Sequence, residues 1–192
     1  MELQGERLIP ASVDTTWAAL NDTEVLKACI AGCESLERTG DDAMTAVVAL
    51  KVGPVSARFK GNLQMTNIQA PNGYTINFDG QGGVAGFGKG SADVALTAQG
   101  DAQTLLKYNA RATVGGKMAQ IGSRLIDATA AKITEDFFKA FEAHLQASAP
   151  APAGEAGVVT AIVDPESDGG IAKLWWLIGA LVVLAIAYFA IR

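Results

Sequence analysis

A chain of 192 residues is long enough for one domain of ordinary size with an appendage, and it is too short for two full domains. Hydrophobic residues make up 49% and charged residues 18%, so the chain is more apolar than an average soluble protein. The formal net charge of −5 argues against a nucleic-acid partner and against electrostatic docking on anionic lipid.

The first thirty residues predict a strand followed by two short helices. Pro10 closes an extended segment, and Ser12 or Asp14 then has the side chain of a helix cap. Gly32 follows the second helix and suits the left-handed conformation of a helix end. The predicted ranges are 2–9 for the strand and 13–21 and 23–30 for the helices.

After these helices the hydrophobic period changes from 3.6 to 2, which is typical of strands with one buried face. Turns at Gly53-Pro54 and at Pro71-Asn72-Gly73 separate successive strands by a few residues. Such short connections predict an antiparallel meander with one dry face. We expect six strands here, and the alternation locates five of them, at 44–52, 55–66, 74–78, 92–98 and 106–114.

The region 118–145 contains no proline and, after Gly122, no glycine. Its apolar residues fall on one face of a helix of about 42 Å. We expect this helix to lie across the dry face of the sheet.

The residues that could carry chemistry are few and scattered. Cys29 and Cys33 are the only cysteines and His144 is the only histidine, too few ligands for a typical metal site. Asp79 and Asp93 fall on the polar alternation of their strands, and no nucleophile has a base beside it in the pattern. We therefore expect structural thiols, no metal site and no catalytic residues.

Residues 80–90, GQGGVAGFGKG, form the most prominent motif. The spacing from Gly83 to Lys89 matches a phosphate-binding loop, but Gly90 replaces the Ser or Thr that would hold magnesium, and a strand pattern follows instead of a helix. We expect no nucleotide site. Two interpretations stay open, a mobile flap beside Phe87 that opens for an apolar ligand and a wide turn with a β-bulge.

A charge-free run from Leu174 to Ile191, LWWLIGALVVLAIAYFAI, follows a segment rich in Ala, Pro, Gly and Ser. As a helix it is about 27 Å long, close to the ~30 Å hydrocarbon core of a bilayer. Trp175, Trp176 and Tyr188 lie near its ends, where aromatic rings favour the membrane interface. The alternative is a buried core helix. We predict a globular domain at 1–146, a flexible linker at 147–172 and a single-pass transmembrane anchor at 173–192.

The N-terminus carries Glu2 and Glu6 and lacks an apolar run, so it does not predict a secretory signal. We therefore expect the domain to face the cytoplasm at the cytoplasmic membrane. Lys173 and Arg192 balance across the span, so the positive-inside rule adds little.

The expected order of a strand, two helices, six strands and a long helix is shared by Bet v 1-like and START-like (SRPBCC) proteins, whose bent sheet grips the last helix. Four stretches, PASVDTTWAALND, VGPVSARFKGNLQM, GFGKGSADVAL and GGKMAQIGSRLIDATAAKITEDFF, resemble the CoxG family of carbon monoxide dehydrogenase proteins. One departure is Ala31 in the segment Ile30-Ala31-Gly32-Cys33, where the family usually has proline. The resemblance implies an α+β helix-grip fold.

The resemblance also implies an accessory protein that recruits a molybdenum-containing carbon monoxide dehydrogenase, or a related hydroxylase, to the membrane. Because such an enzyme passes electrons to the membrane, we expect a hydrophobic ligand between sheet and helix, with a quinone as the most economical choice and no covalently bound cofactor. The alternative is a structural recruiting factor with a filled core. Gly122→Leu is the cavity-filling change that separates the two. The candidate ligand-binding residues are Met65, Phe78, Phe87, Tyr108, Met118, Ile121, Gly122 and Leu125, with Phe137 deeper in the core.

Overall fold

The computed structural model describes residues 1–148, in which seven strands form one antiparallel sheet. Three α-helices accompany the sheet, and the order of elements is the predicted one. The strands are β1 (Glu2–Ile9), β2 (Cys33–Arg38), β3 (Ala43–Val52), β4 (Val55–Gln69), β5 (Gly73–Gln81), β6 (Phe87–Ala98) and β7 (Thr104–Gly115). The helices are α1 (Val13–Leu20), α2 (Thr23–Cys29) and α3 (Ser123–Ser148).

The sheet is a meander from β2 to β7, and β1 pairs beside β7 to give the spatial order β1-β7-β6-β5-β4-β3-β2. α1 and α2 connect β1 at one edge to β2 at the other. The alternation of the sequence did not locate β2. The reason is a register shift between Cys33 and Ser35, which breaks the period of 2, and Leu36 is its one fully buried residue.

The two short helices begin at capping side chains. Ser12, and not Asp14, caps α1, because its side chain accepts a hydrogen bond from the Thr15 backbone N–H at 3.3 Å. Asp22 caps α2, since its Oδ1 accepts from the N–H of Glu24 at 2.8 Å. After α2, Gly32 has the expected positive φ of 77°.

The long C-terminal helix is confirmed, but it begins later than the sequence predicts. Gly116–Ile121 form a 3₁₀ helix, and Gly122 has a φ of 100°, which breaks the helical path before Ser123. The remaining 26 residues of α3 measure about 39 Å. Its fully buried side chains all lie in the second half, at Phe138, Phe141 and Leu145.

Buried residues form three clusters within the described part of the chain. The largest is the core in which Ile9, Leu106 and Phe141 are almost completely buried beneath α1, α2 and the end of α3. A second cluster on β2 to β5 contains Leu36, Met44, Ala46, Met65 and Tyr74, and a third contains Val52, Ala85 and Met118. The first two clusters supply most of the wall of the site described below.

The predicted anchor at 173–192 lies outside the described residues, as does the predicted linker at 147–172 except for its first two residues, which end α3. Within residues 1–148, no helix combines the length and the apolar character needed to cross a bilayer.

Candidate functional site

An apolar cavity of about 340 Å³ lies between the inner face of the sheet and α3. Each of the seven strands and each of the three α-helices contributes at least one side chain to its wall. The volume falls in the range of about 300–1,000 Å³ that is typical of small-molecule sites. The wall contains no carboxylate, imidazole or thiol.

The floor of the cavity is formed by residues that face each other across neighbouring strands. In one row, Met65 lies opposite Ile76, Ile76 opposite Ala92, and Ala92 opposite Ala110. Protein interiors are otherwise close-packed, so two adjacent alanines in the middle of such a row leave space that larger side chains would fill. These alanines are the local reason for the cavity.

The roof of the cavity is the aromatic part of α3. The Phe137 and Phe138 rings lie 5.4 Å apart, and the Tyr108 ring of β7 lies 5.4 Å from Phe138. Such separations fit the preferred packing of aromatic pairs. A flat apolar ligand would therefore meet ring surfaces on the helix side.

Arg7 joins the edge strand β1 to this aromatic roof. Its guanidinium carbon lies 5.6 Å from the centre of the Phe138 ring, and the same group forms an ion pair with Glu135 of α3. A cation over an aromatic face contributes about 0.5–1 kcal/mol where it is partly exposed. Arg7 therefore holds α3 at this edge of the cavity.

The polar side chains of the wall are three hydroxyls, those of Tyr74, Tyr108 and Thr134. Tyr74 is 5% exposed, and its burial raises the pKa of the phenol to about 12. This phenol therefore stays protonated throughout the physiological range and can donate a hydrogen bond.

Two of the eight predicted ligand-binding residues, Met65 and Tyr108, lie in the wall of this cavity. Phe78 is also on the inner face, but its ring lies beside Gly90 and is not part of the cavity wall. Phe87 is 38% exposed, because the alternation that turns Ala92 inward turns Phe87 outward.

The other four predicted residues lie around the start of α3. Met118 packs in the small cluster with Val52, and Ile121 borders that cluster. Leu125 is 40% exposed, and Gly122 is exposed with no atom near the position of a Cβ. Because α3 begins only at Ser123, residues 118–122 do not continue its apolar stripe.

Sequence reasoning missed most of the cavity wall. Tyr74 and Ala92 belong to apolar faces that the alternation located, but nothing local distinguishes a residue that lines a cavity from one in a filled core. Phe138 was missed because the predicted apolar face of the helix contains Phe137, and adjacent residues on a helix point in different directions. The residues not predicted include Leu36, Met44, Tyr74, Ile76, Ala92, Ala110 and Phe138.

The glycine-rich motif is the turn between β5 and β6. The two strands pair without a register shift up to Gln81 and Phe87, and residues 83–85 form a short 3₁₀ turn. The connection is therefore a wide turn without a bulge, and a strand follows it as the sequence indicates. Val84 at its tip is 86% exposed, whereas Ala85 is buried.

The other candidate groups for chemistry lie apart from the cavity wall. Asp79 and Asp93 are exposed, and Asp93 accepts a hydrogen bond from the Thr75 hydroxyl at 2.7 Å. Burial raises the pKa of both the Cys29 and the Cys33 thiol, which disfavours the reactive thiolate. Within the described part of the chain, no group of His, Cys, Asp and Glu is arranged to hold a metal ion.

An antiparallel sheet that grips a C-terminal helix around an apolar cavity defines a START-like helix-grip protein. Two solved structures share this fold at low identity. A START superfamily protein from Mycobacterium smegmatis is 16% identical with a TM-score of 0.59, over 76% of this chain and 97% of its own. The Zhui aromatase/cyclase from Streptomyces sp. R1128 is 12% identical with a TM-score of 0.55, over 76% of this chain and 93% of its own.

A more similar structure is a conserved protein from Geobacillus kaustophilus, which is 32% identical with a TM-score of 0.73. The match covers 77% of this chain and 97% of that protein. The family model for CoxG, a carbon monoxide dehydrogenase subunit, matches residues 5–146. The chain therefore belongs to the CoxG family, as its sequence motifs predict. No curated protein matches it.

Proposed function

We propose that this protein is a non-enzymatic accessory protein that recruits a molybdenum carbon monoxide dehydrogenase, or a related hydroxylase, to the cytoplasmic membrane. It is tethered there by residues 173–192 and holds a quinone in the cavity, which links the enzyme to the respiratory chain. The observation that carries the ligand part is the apolar cavity of about 340 Å³. The family name supports the partner, and the charge-free run 174–191 supports the tether.

The size and chemistry of the cavity favour an apolar occupant. The wall is almost entirely apolar, so a hydrophobic ligand that covers it removes apolar surface from water, which contributes about 25 cal/mol per Å². Water is a less favourable occupant, because each buried molecule needs about three polar partners and the wall offers three hydroxyls in all.

A quinone fits these requirements and the role of the family. Its ring would lie against the aromatic side chains of Tyr108, Phe137 and Phe138. Its isoprenoid tail would leave beneath the first half of α3, since no side chain from 123 to 134 is fully buried. The quinone is also the carrier that accepts electrons at a respiratory membrane.

The ligand is tested by purifying the full-length protein from its native membrane and extracting it for mass spectrometry. We expect a quinone in the extract and a higher melting temperature when quinone is added to stripped protein. Ligand at a hundred times its Kd adds about 2.7 kcal/mol to the free energy of unfolding. A preparation that contains no quinone and gains no stability from it would refute quinone binding.

The tether is tested by deleting residues 171–192. We expect the dehydrogenase to move from the membrane fraction to the soluble fraction, because the local concentration of the accessory protein at the bilayer is lost. Replacing the deleted segment with an unrelated apolar span is the matched control, and it should restore membrane association. Unchanged association after the deletion would contradict the anchor role.

The alternative of a structural recruiting factor requires a filled core. The cavity is unfavourable to that alternative, and no feature of the described residues supports it over ligand binding. A stripped protein that still recruits the enzyme, without any effect of quinone on electron transfer, would favour it.

A further inference from the structure

The Tyr74 hydroxyl is a buried polar group without a protein partner. The hydrogen-bonding side chains near it on β5, Thr75 and Asn77, lie on the outer face, and Tyr74 takes part in none of the side-chain hydrogen bonds among residues 1–148. Desolvation by burial raises the pKa of this phenol.

This hydroxyl meets open space and not packed carbon. Among the described residues, Thr16 Oγ1 is the one side-chain polar atom that is both inaccessible and without a hydrogen-bond partner. The Tyr74 hydroxyl also lacks a partner, so it is accessible to open space. Tyr74 is 5% exposed and lines the cavity. Its ring is held from the side by Trp17, whose ring centre lies 5.4 Å away in an edge-on arrangement.

A second tyrosine rises from the same row of the sheet. Tyr74 on β5 lies opposite Val94 on β6, and Val94 lies opposite Tyr108 on β7. Two strand spacings separate the Cα atoms of the tyrosines by about 10 Å. The floor of the cavity therefore carries two phenols on either side of an apolar strip.

A hydroxyl that faces the cavity without a protein partner costs about 1–3 kcal/mol once an apolar ligand covers it and offers no hydrogen bond, whereas phenylalanine would fill the same volume without that cost. Almost all buried polar groups in native proteins have a partner. A ligand oxygen is the partner that this arrangement lacks. A partner that takes up the phenol proton in an otherwise apolar site is an oxygen on a hydrophobic molecule, such as an oxo group.

We propose that Tyr74 is the polar anchor of the cavity, donating a hydrogen bond to an oxo group of an otherwise apolar ligand, with Tyr108 as the second anchor across the floor. The inference rests on the proposed ligand-binding function and adds the residue that selects quinones over hydrocarbons of the same shape. The aromatic roof contributes the same affinity for a quinone and for a hydrocarbon of the same shape, and the phenol groups favour the quinone.

The test compares two probes that differ only in their oxo groups, menadione and its hydrocarbon counterpart methylnaphthalene. Both are titrated into the stripped full-length protein in amphipol, and binding is followed by calorimetry. The variants are Tyr74→Phe, Tyr108→Phe and the double variant. Tyr→Phe removes the donor and retains the ring, so it is a conservative change for the apolar wall.

We expect Tyr74→Phe to weaken menadione binding about tenfold, the equivalent of one hydrogen bond, and to leave methylnaphthalene binding unchanged. The melting temperature of the unliganded variant should not fall, because the hydroxyl that is removed had no partner. Equal loss of affinity for both probes, or unchanged menadione affinity, would overturn the anchor while leaving quinone binding intact.

Failure of the proposed function gives a different result, namely that wild-type protein does not bind menadione at all. A measurement on wild-type protein keeps the inference testable if the variant does not fold. Hydrogen bonding lowers the carbonyl stretching frequency of menadione, so bound menadione should show a shifted infrared band. A bound probe with an unshifted band would overturn the anchor.

Discussion

Replacing Ala92 by Leu tests whether the cavity is open space in the unliganded protein. Ala92 lies in the cavity floor between Ile76 and Ala110 of the neighbouring strands. The longer side chain adds three carbon atoms, and each buried carbon contributes about 0.8 kcal/mol. If the space is empty, the free energy of unfolding should rise by about 2 kcal/mol, which raises the melting temperature by roughly 6 °C.

The same substitution should weaken quinone binding, because the new side chain occupies part of the space that the ligand needs. We expect a Kd at least about tenfold higher, a loss of about 1.4 kcal/mol. Thermal unfolding followed by circular dichroism measures the stability, and calorimetric titration of the stripped full-length protein measures the affinity.

The matched control is Ala95→Leu, which makes the same change on the same strand. Ala95 is exposed and belongs to the opposite face by the alternation of β6. We expect neither the melting temperature nor the Kd to change in this variant.

A lower melting temperature for Ala92→Leu alone would refute the reasoning. Overpacking a filled core costs about 1–3 kcal/mol, so destabilisation would mean that the space is not available. A higher melting temperature with unchanged affinity would mean that the ligand does not use this cavity.

Three further predictions concern single residues around the site. Raising the pH from below 10 to above 12 should lower the free energy of unfolding of the wild type by about 3 kcal/mol more than that of Tyr74→Phe, as denaturant titrations can measure. The reason is that the phenol has a pKa near 10 in the unfolded chain but about 12 when buried. That stability is fully present below pH 10, so equal losses in both proteins would contradict the burial of Tyr74. Gly5→Ala should weaken quinone binding in calorimetry, because the new Cβ would lie 2.6 Å from the Tyr108 hydroxyl and displace the ring. Unchanged affinity would show that the position of the Tyr108 ring is not needed for quinone binding. Gly122→Leu should lower the melting temperature through about 1–3 kcal/mol of strain, because φ 100° and ψ 141° lie in a region that only glycine normally occupies. We expect its Kd to be unchanged, and a weaker Kd would show that Gly122 contacts the ligand after all.

The last prediction corrects the test that sequence reasoning favours. On the predicted continuous helix, Gly122 faces the sheet, so a leucine there fills the cavity. In the structure Gly122 is an exposed break between a 3₁₀ helix and α3, and no atom lies near its Cβ position. The positive φ that stops the helix is a property of the local backbone, and glycine in a helical pattern does not reveal it.

Local patterns were sufficient where the physical cause is itself local. The alternation of β4 and β6 and the left-handed turn at Gly32 each depend on neighbouring residues, and each is confirmed. The sequence left the cap of α1 open between Ser12 and Asp14, and the structure has Ser12. The alternation did not locate β2, because a register shift between Cys33 and Ser35 interrupts its period of 2. Of the site residues, Met65 and Tyr108 were placed on the correct face by the alternation. Phe87 was chosen for its place in the glycine-rich segment, and its position in β6 turns it outward.

The sequence by itself determined the order of elements, the antiparallel meander, the apolar inner face and the family, because periodicity, turn residues and motifs are properties of short segments. The tertiary structure decided where space is left. The cavity exists because Ala92 and Ala110 become neighbours across strands while Phe137 and Phe138 come from a helix 27 to 46 residues later in the chain. Whether side chains from ten separate elements fill a volume depends on register and helix placement together, and no single segment contains that information.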